Sequence, residues 1–258
     1  MLLAVDIGNS QMVVGILDGP KIVTQWRLTS QATRTADEIG LQIRALLSDA
    51  SILPAMIRRM ALASVVPALR PEFRRFGAEG LGVPTLVIDG DTVTGVPLDV
   101  PDPGSVGPDR IVNVVAARFL HGAPAIVIDL GTATTFDALD ERGAYIGGAI
   151  APGIGISAEA LFHRGARLAR VEIRPPERAI GRTTEEHLQS GIFFGAVGQI
   201  DEIVRRMAAE MGGEPRILAT GGLSGLVAGY SATIQTIDPD LTLHGIRLVE
   251  ERQHAASA

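Results

Sequence analysis

Short apolar runs that end in a carboxylate recur along this chain. Leu2–Val5 leads into Asp6-Ile7-Gly8-Asn9-Ser10, and Ala125–Ile128 leads into Asp129-Leu130-Gly131-Thr132-Ala133-Thr134-Thr135. A continuous apolar run of this length, bounded by turn residues, reads as a buried strand. In the first half, Leu2–Val5, Met12–Leu17 and Lys21–Leu28 predict three successive strands, with a tight turn at Asp18-Gly19 between the second and third. Ile39, Ile43, Leu46 and Leu47 fall on one face at helical spacing and predict a helix over Ala36–Leu47. Met60–Val66 reads as a strand closed by Pro67, followed by a short basic helix, Leu69–Phe76, and a strand, Thr85–Ile88. Thr92–Gly107 is rich in Pro, Gly and Asp and reads as loop, the expected domain boundary.

Beyond that loop the first pattern returns. Asp109–Leu120 reads as a helix, then strand Ala125–Ile128, the Asp129 turn, strand Thr134–Leu139, a turn over Asp140–Gly143 and strand Tyr145–Ala151. Asp6 and Asp129 stand 123 positions apart, as do Gly8 and Gly131. A repeat on this scale suggests two related α/β halves and not a solenoid. Helix Glu185–Met211, strand Arg216–Ala219, a Thr220-Gly221-Gly222 turn and a helix near Leu241–Glu250 complete the second half. The expected domains are residues 1–106 and 107–258, with the final helix able to pack on either.

The 258 residues suffice for one large domain or two small ones with their own cores. Hydrophobic residues make up 46% and charged residues 20%, the balance of a soluble globular protein. A net charge of −6 argues against nucleic acid or an anionic membrane as partner, since both need a basic face. No apolar run approaches the roughly 20 residues of a membrane span. Asp6 interrupts the N-terminal apolar stretch and no basic region precedes it, so no signal peptide is expected. The absence of cysteine removes disulfides, thiolate zinc sites and cysteine nucleophiles together. A cytoplasmic location is expected.

The candidate chemistry sits at the strand ends. A carboxylate such as Asp6 at the end of a buried strand is costly unless it is paired or holds a cation. Gly8 leaves room for a phosphate to approach the backbone, while Asn9 and Ser10 add donors. A simple turn would also favour Asp and Asn, but two copies at equivalent positions favour function. Two such loops facing each other would grip a metal-bound polyphosphate from both sides. The second loop adds the hydroxyls of Thr132, Thr134 and Thr135 beside Gly131. Asp129 suits Mg²⁺ through water or a monovalent cation, because hard cations prefer oxygen ligands.

Gly107-Pro108-Asp109-Arg110 opens a helix with proline in its first turn. Asp109 there satisfies the helix dipole, whereas Arg110 opposes it. An acid beside an arginine at such a joint suits an anionic substrate: the acid accepts a hydroxyl proton and the guanidinium holds a carboxylate or phosphate. Gly147-Gly148 to Pro152-Gly153 and Thr220-Gly221-Gly222 are further glycine-rich turns that admit a phosphate or a flat base, and glycine is equally the default turn residue. Neither a Gly-x-x-x-x-Gly-Lys-Ser/Thr loop nor a Gly-x-Gly-x-x-Gly fingerprint is present. The five histidines show no metal-ligand spacing, and His187, Trp26 and Phe193-Phe194 read as surface, core or subunit contact.

Taken in order, these segments resemble the type III pantothenate kinases, members of the actin, sugar-kinase and Hsp70 superfamily. The resemblance covers nearly the whole chain. It runs through Asp6-Ile7-Gly8-Asn9, Ser64-Val65-Val66-Pro67, Gly107-x-Asp109-Arg110 and Asp129-x-Gly131-Thr132-Ala133-x-Thr135. It continues through Gly147-Gly148-Ala149-Ile150-x-Pro152-Gly153, Gly181-x-x-Thr184, Gln189-Ser190-Gly191 and Thr220-Gly221-Gly222. The resemblance implies an α/β fold of two actin-like (ribonuclease H-like) domains, each a mixed sheet flanked by helices, with a cleft between them. It also implies transfer of the γ-phosphoryl group of ATP to pantothenate, the first step of coenzyme A synthesis.

Residue by residue, the resemblance implies that Asp6, Ile7, Gly8, Asn9, Ser10, Gln11, Met12 and Val13 form the first phosphate loop, with Asp6 also meeting Mg²⁺ through water. Gly131, Thr132, Thr220, Gly221 and Gly222 would meet ATP from the second half. Asp129 would bind the monovalent cation, K⁺ or NH₄⁺, used alongside Mg²⁺. Asp109 would be the proton acceptor. Val100, Gly107, Pro108, Asp109 and Arg110 would hold pantothenate, and Thr184 would reach it from the partner subunit of a homodimer. Two positions depart from the family pattern. Ser10 replaces the usual threonine and keeps the hydroxyl. Val100 stands where a tyrosine is usual, which removes a phenol from the pantothenate pocket. A sugar kinase or phosphatase of the same superfamily shares the two Asp-x-Gly loops and should lack Gly-x-Asp-Arg. A non-catalytic ATP-binding regulator would keep the fold, and retention of Asp6, Asp109, Asp129 and Thr184 argues against it.

Overall fold

The computed structural model describes residues 1–164 and 171–257. It divides into two compact units, each built on one five-stranded sheet.

In the first unit, β1 (Leu2–Ile7), β2 (Gln11–Asp18) and β3 (Lys21–Thr29) form an antiparallel meander. Strand β4 (Arg59–Ser64) then joins β1 in parallel and β5 (Thr85–Ile88) joins β4, giving the order β3-β2-β1-β4-β5. The second unit repeats this with β6 (Ala125–Leu130), β7 (Ala133–Leu139), β8 (Tyr145–Pro152), β9 (Arg216–Thr220) and β10 (Thr236–Ile237), in the order β10-β9-β6-β7-β8. Antiparallel and parallel pairings match strand for strand, so the spacing between the Asp6 and Asp129 turns reflects a duplicated topology.

The apolar runs have a direct cause. Strand β1 pairs on both edges and buries both faces, with Leu3, Ala4 and Val5 wholly inaccessible, so no polar alternation is possible before Asp6. Edge strand β3 alternates exposed and half-buried positions instead. Helix α1 (Ala36–Asp49) starts at a Thr35–Glu38 capping box and buries Ile39, Ile43 and Leu47 against the first core, with Leu46 half-buried. The second core gathers Ile126, Ile128, Phe136, Phe193 and Ile200, the last two from the long helix α5 (Thr184–Met211).

Several elements differ from the sequence expectation. Strand β4 stops at Ser64 because the chain turns there: the Ser64 hydroxyl accepts from the Val66 amide at 3.1 Å and Val65 N–H donates to the Ile7 carbonyl. Helix α2 (Leu69–Arg75) is followed by a wider helical turn, Phe76–Leu81. Helix α3 (Pro108–Ala116) likewise widens over Ala117–His121. Helix α4 (Ile154–Arg164) and the short α6 (Ser224–Val227) follow the glycine-rich turns after β8 and β9, as strand–turn–helix units, whereas the two-residue β10 carries too little pattern to be assigned from sequence. Helix α7 extends over Leu241–Ser257, beyond the expected Glu250.

The division into units also departs from a single cut after residue 106. The first unit comprises Met1–Pro97, Pro101–Ala116 and Leu241–Ala258, and the second comprises Leu98–Val100 and Ala117–Asp240. Helix α3 therefore belongs with the first sheet, and the chain returns there to place α7 beside it. Gly245 makes that pairing possible: a β-carbon at this position would stand 2.0 Å from the Val112 carbonyl oxygen.

Candidate active site

In the first unit the Asp6 turn is a narrow hairpin end. Gly8 N–H donates to the Gln11 carbonyl at 3.0 Å, and a β-carbon on Gly8 would stand 2.9 Å from that oxygen. The Ser30 hydroxyl donates to the Gly8 carbonyl at 2.6 Å and Ser30 N–H to the Ser10 carbonyl at 3.0 Å, so the end of β3 braces the loop. Ile7 and Met12 bury their side chains in the first core and offer the loop only backbone, whereas Asn9, Ser10 and Gln11 are exposed. Asp6 is half-buried, opposite Val13 on β2 and Ala63 on β4.

The second unit builds the equivalent turn. Gly131 N–H donates to the Ala133 carbonyl at 3.0 Å, two positions on, which closes a turn one residue shorter than that of Gly8, whose N–H reaches Gln11 three positions on. Asp129 lies opposite Thr135 on β7 and Thr220 on β9. Gly131 and Thr132 are exposed, and Thr220 is buried. Two glycines close in on this turn. A β-carbon on Gly153 would stand 2.3 Å from the Thr132 carbonyl oxygen and 2.6 Å from that of Gly131. Gly221, at φ +89°, would direct a β-carbon to within 2.4 Å of Asp129 Oδ1. Gly222 is exposed beside it. The glycine-rich turns that carried little weight in the sequence are thus part of the wall of this loop.

Asp109 has the most distinctive environment of the candidate residues. It lies half-buried in the first turn of α3. Burial raises its carboxyl above the ordinary aspartate value, and this outweighs the lowering effects of the Arg110 amide, the Arg110 guanidinium and its own backbone amide. Its Oδ1 is inaccessible to water and accepts no hydrogen bond. Gly107 makes room for this oxygen, since a β-carbon there would stand 2.5 Å away. A buried acceptor without a partner costs about 1–3 kcal/mol, and such costs concentrate where a ligand completes the bond.

The remaining candidates are distributed between the units. Pro108 is buried at the start of α3, and Gly107 and Arg110 are half-buried. Val100 is half-buried in the segment Leu98–Val100, which joins the second unit through Asp99 N–H to the Tyr145 carbonyl at 2.8 Å. Thr184 is exposed at the first residue of α5. Its helix is capped by the Thr183 hydroxyl, and the Arg182 amide donates to Glu186 Oε2 at 2.6 Å. Ser30 supports the first turn although a lone serine after a strand carries no specific sequence signal, whereas Gly153 lies in a glycine-rich turn whose sequence already suggested close approach.

Among the described residues, no three His, Cys, Asp or Glu side chains cluster closely enough to hold a metal by themselves. The donor set still fits hard cations that take most of their ligands from water, hydroxyls and phosphates, because a single carboxylate stands at each loop beside backbone and threonine oxygens.

Two five-stranded mixed sheets of identical topology, each with a carboxylate-tipped hairpin, define a two-domain α/β protein of actin-like fold. Solved structures agree on the fold. The activator of 2-hydroxyisocaproyl-CoA dehydratase from Clostridium difficile, with bound ADPNP, aligns with a TM-score of 0.56 at 10% identity, over 99% of this chain and 97% of that one. The (R)-2-hydroxyglutaryl-CoA dehydratase component A of Acidaminococcus fermentans aligns with a TM-score of 0.53 at 15% identity, over 100% and 99%. Residues 2–206 match the family model of type III pantothenate kinase. The type III pantothenate kinase of Moorella thermoacetica is 48% identical over 252 residues, 98% of this chain and 99% of its own. The chain belongs to the type III pantothenate kinase family.

Proposed function

We propose that this chain transfers the γ-phosphoryl group of ATP to the primary hydroxyl of pantothenate, giving 4'-phosphopantothenate for coenzyme A synthesis, with Asp109 as proton acceptor. The observation that carries the assignment of Asp109 is its buried, unpartnered Oδ1 beside Arg110. The hydroxyl oxygen forms a bond to the γ-phosphorus, the bond to the β,γ-bridging oxygen breaks, ADP leaves, and the hydroxyl proton passes to the Asp109 carboxylate. Phosphoryl transfer of this kind depends on positioning and charge neutralisation more than on a strong base. A carboxyl raised above the ordinary aspartate value is better matched to a proton lost late.

The residues divide the remaining work. Backbone amides of residues 6–13 and the Gly131-Thr132 turn cradle the phosphates, with Thr220, Gly221 and Gly222 on the nucleotide. Asp6 meets Mg²⁺ through water, and Asp129 with its neighbouring threonine hydroxyls holds K⁺ or NH₄⁺; these ions supply charge neutralisation. Gly107, Pro108 and Arg110 hold pantothenate, with Val100 leaving that pocket short of a phenol. A homodimer brings Thr184 to the partner's substrate. Its exposure supports this role, as do the exposed apolar side chains of Ile146 and Ile150 on edge strand β8 and of Ile156 and Leu161 on α4. No helix among the described residues is long and apolar enough to cross a membrane. A cytoplasmic location is proposed, as the compartment for a kinase of coenzyme A synthesis.

A coupled assay of ADP release with ATP and pantothenate, run in potassium and then in sodium, tests the reading. Turnover on pantothenate that requires potassium or ammonium supports it. Turnover on sugars, or nucleotide binding without turnover, would instead support a sugar kinase or a regulator.

A further inference from the structure

Three residues in the first two turns of α7 each grip a different piece of the first unit. The Thr242 hydroxyl donates to Asn113 Oδ1 on α3 at 2.8 Å, and Asn113 is wholly inaccessible. Leu243 nests over Gly15 of β2, where a β-carbon would stand 2.7 Å from Leu243 Cδ1. Gly245 lies against the Val112 carbonyl, with no space for even a methyl group.

The two partners of α7 are the two halves of the proposed chemistry in this unit. Asn113 is one turn beyond Asp109 on α3, so the two share a helix face. Gly15 lies on the strand that pairs with β1, and the same ladder places Val13 opposite Asp6. A helix is stiff along its axis, so a shift or rotation at Asn113 is passed to Asp109.

From this we infer that the start of α7 is a bracket that sets Asp109 relative to the Asp6 hairpin, with Thr242, Asn113 and Gly245 as positioning residues for phosphoryl transfer. The bracket rests on the reading of Asp109 as proton acceptor. Its design is specific on both sides. The Thr242–Asn113 bond fixes axial and rotational register, because it ties a side chain on the first turn of α7 to a wholly inaccessible amide on α3. Gly245 fixes the separation, because a β-carbon there would meet the backbone of Val112, while Gly15 leaves the room that the Leu243 side chain fills. Neither Asn113 nor Thr242 needs to touch a substrate for this effect.

The test uses the full chain as wild type, Thr242→Val and Thr242→Ser, with the rate followed from low to neutral pH and nucleotide affinity measured by titration with a non-hydrolysable ATP analogue. Thr242→Val removes the donor and keeps the shape. It is expected to lower kcat roughly 10-fold, in line with the cost of sub-ångström misplacement of a reacting group. It should also move the acid limb of the pH–rate profile downward, as a shifted Asp109 becomes better hydrated, while analogue affinity stays unchanged. Thr242→Ser should restore both kcat and the acid limb. Unchanged kcat and acid limb in Thr242→Val would overturn the bracket. So would equal impairment of both variants with nucleotide affinity lost in proportion, since that outcome marks a general packing role. A wild-type chain that does not phosphorylate pantothenate would remove the underlying reading and the bracket with it; wild-type turnover shared by Thr242→Val removes the bracket alone.

Discussion

The Cα of Gly221 rests against the carboxylate of Asp129. At φ +89° the position is left-handed, and a β-carbon would stand 2.4 Å from Asp129 Oδ1 and 2.7 Å from the Leu130 amide nitrogen. The direction of the carboxylate at the end of β6 is therefore set by the side chain that residue 221 lacks. Gly221→Ala should push Asp129 away from its proposed cation position and add about 1–2 kcal/mol of left-handed strain. The expected result is a half-activating potassium concentration raised about 10-fold or more, a coupling of roughly 1.4 kcal/mol. A potassium titration of the initial rate checks this, and an unchanged midpoint would detach Gly221 from the cation site.

Gly153 makes the corresponding contact on the other side of the same turn. Both oxygens that its missing β-carbon would meet, on Thr132 and Gly131, are backbone, so no flexible side chain can yield. Gly153→Ala should displace the Gly131-Thr132 turn and weaken ATP more than pantothenate. A rise of about 10-fold in KM for ATP is expected, with KM for pantothenate within about twofold of wild type. Steady-state kinetics with each substrate varied in turn would show it; a larger effect on pantothenate would place this turn elsewhere in the reaction.

The raised carboxyl of Asp109 gives two linked expectations of known sign. In the proposed role of Asp109 only the ionised form accepts a proton, so activity should fall as pH drops through a value above that of ordinary aspartate. Asp109→Asn should cost roughly 10²-fold or more in turnover and abolish that limb. For stability the sign reverses. A folded value above the unfolded one means that ionisation opposes folding, a cost that sets in as pH rises from the unfolded value and is complete above the folded one. Asp109→Asn should therefore melt at a higher temperature than wild type at neutral pH, with the gap closing toward pH 3–4, near the unfolded aspartate value. Thermal melts across that range decide it.

The parts of this protein most readable from sequence are those whose physics is local. Strands β1 and β6 announce themselves because burial on both faces demands uninterrupted apolar residues, and the Asp-x-Gly turns because a carboxylate and a glycine at a strand end are costly without a reason. Their duplication was visible as a constant offset, and the sheets bear it out. The boundary was less legible because the first unit is closed by segments distant in sequence. That α7 returns to pack on α3 depends on Gly245 meeting Val112, a contact across 133 residues that no local pattern records. Gly153 and Gly221 were visible as turn glycines; only the fold shows which backbone or carboxylate occupies the space they leave.

Away from the site, Asp201 on α5 anchors the loop before β10. Its carboxylate accepts from the Ser231 hydroxyl at 2.6 Å, the Thr233 hydroxyl at 2.8 Å and the amides of Ala232 and Thr233 at 3.1 and 3.2 Å. Burial acts to raise its carboxyl, and these donors more than offset it, leaving the value below that of ordinary aspartate. A lowered folded value gives stability that is present above the unfolded value and is lost as pH falls through the folded one. Hydrogen bonds to a charged group contribute about 1.5–3 kcal/mol, and four sharing one carboxylate are not additive, so Asp201→Ala should cost about 2–4 kcal/mol at neutral pH. Asp201→Asn keeps an acceptor oxygen but brings an amide toward four donors, so it should recover less than half of that loss. The difference between wild type and either variant should shrink as pH is taken below about 4. Denaturant midpoints at neutral and acid pH measure it, with kcat expected to be unchanged at neutral pH, because Asp201 supports a loop that carries none of the proposed site residues.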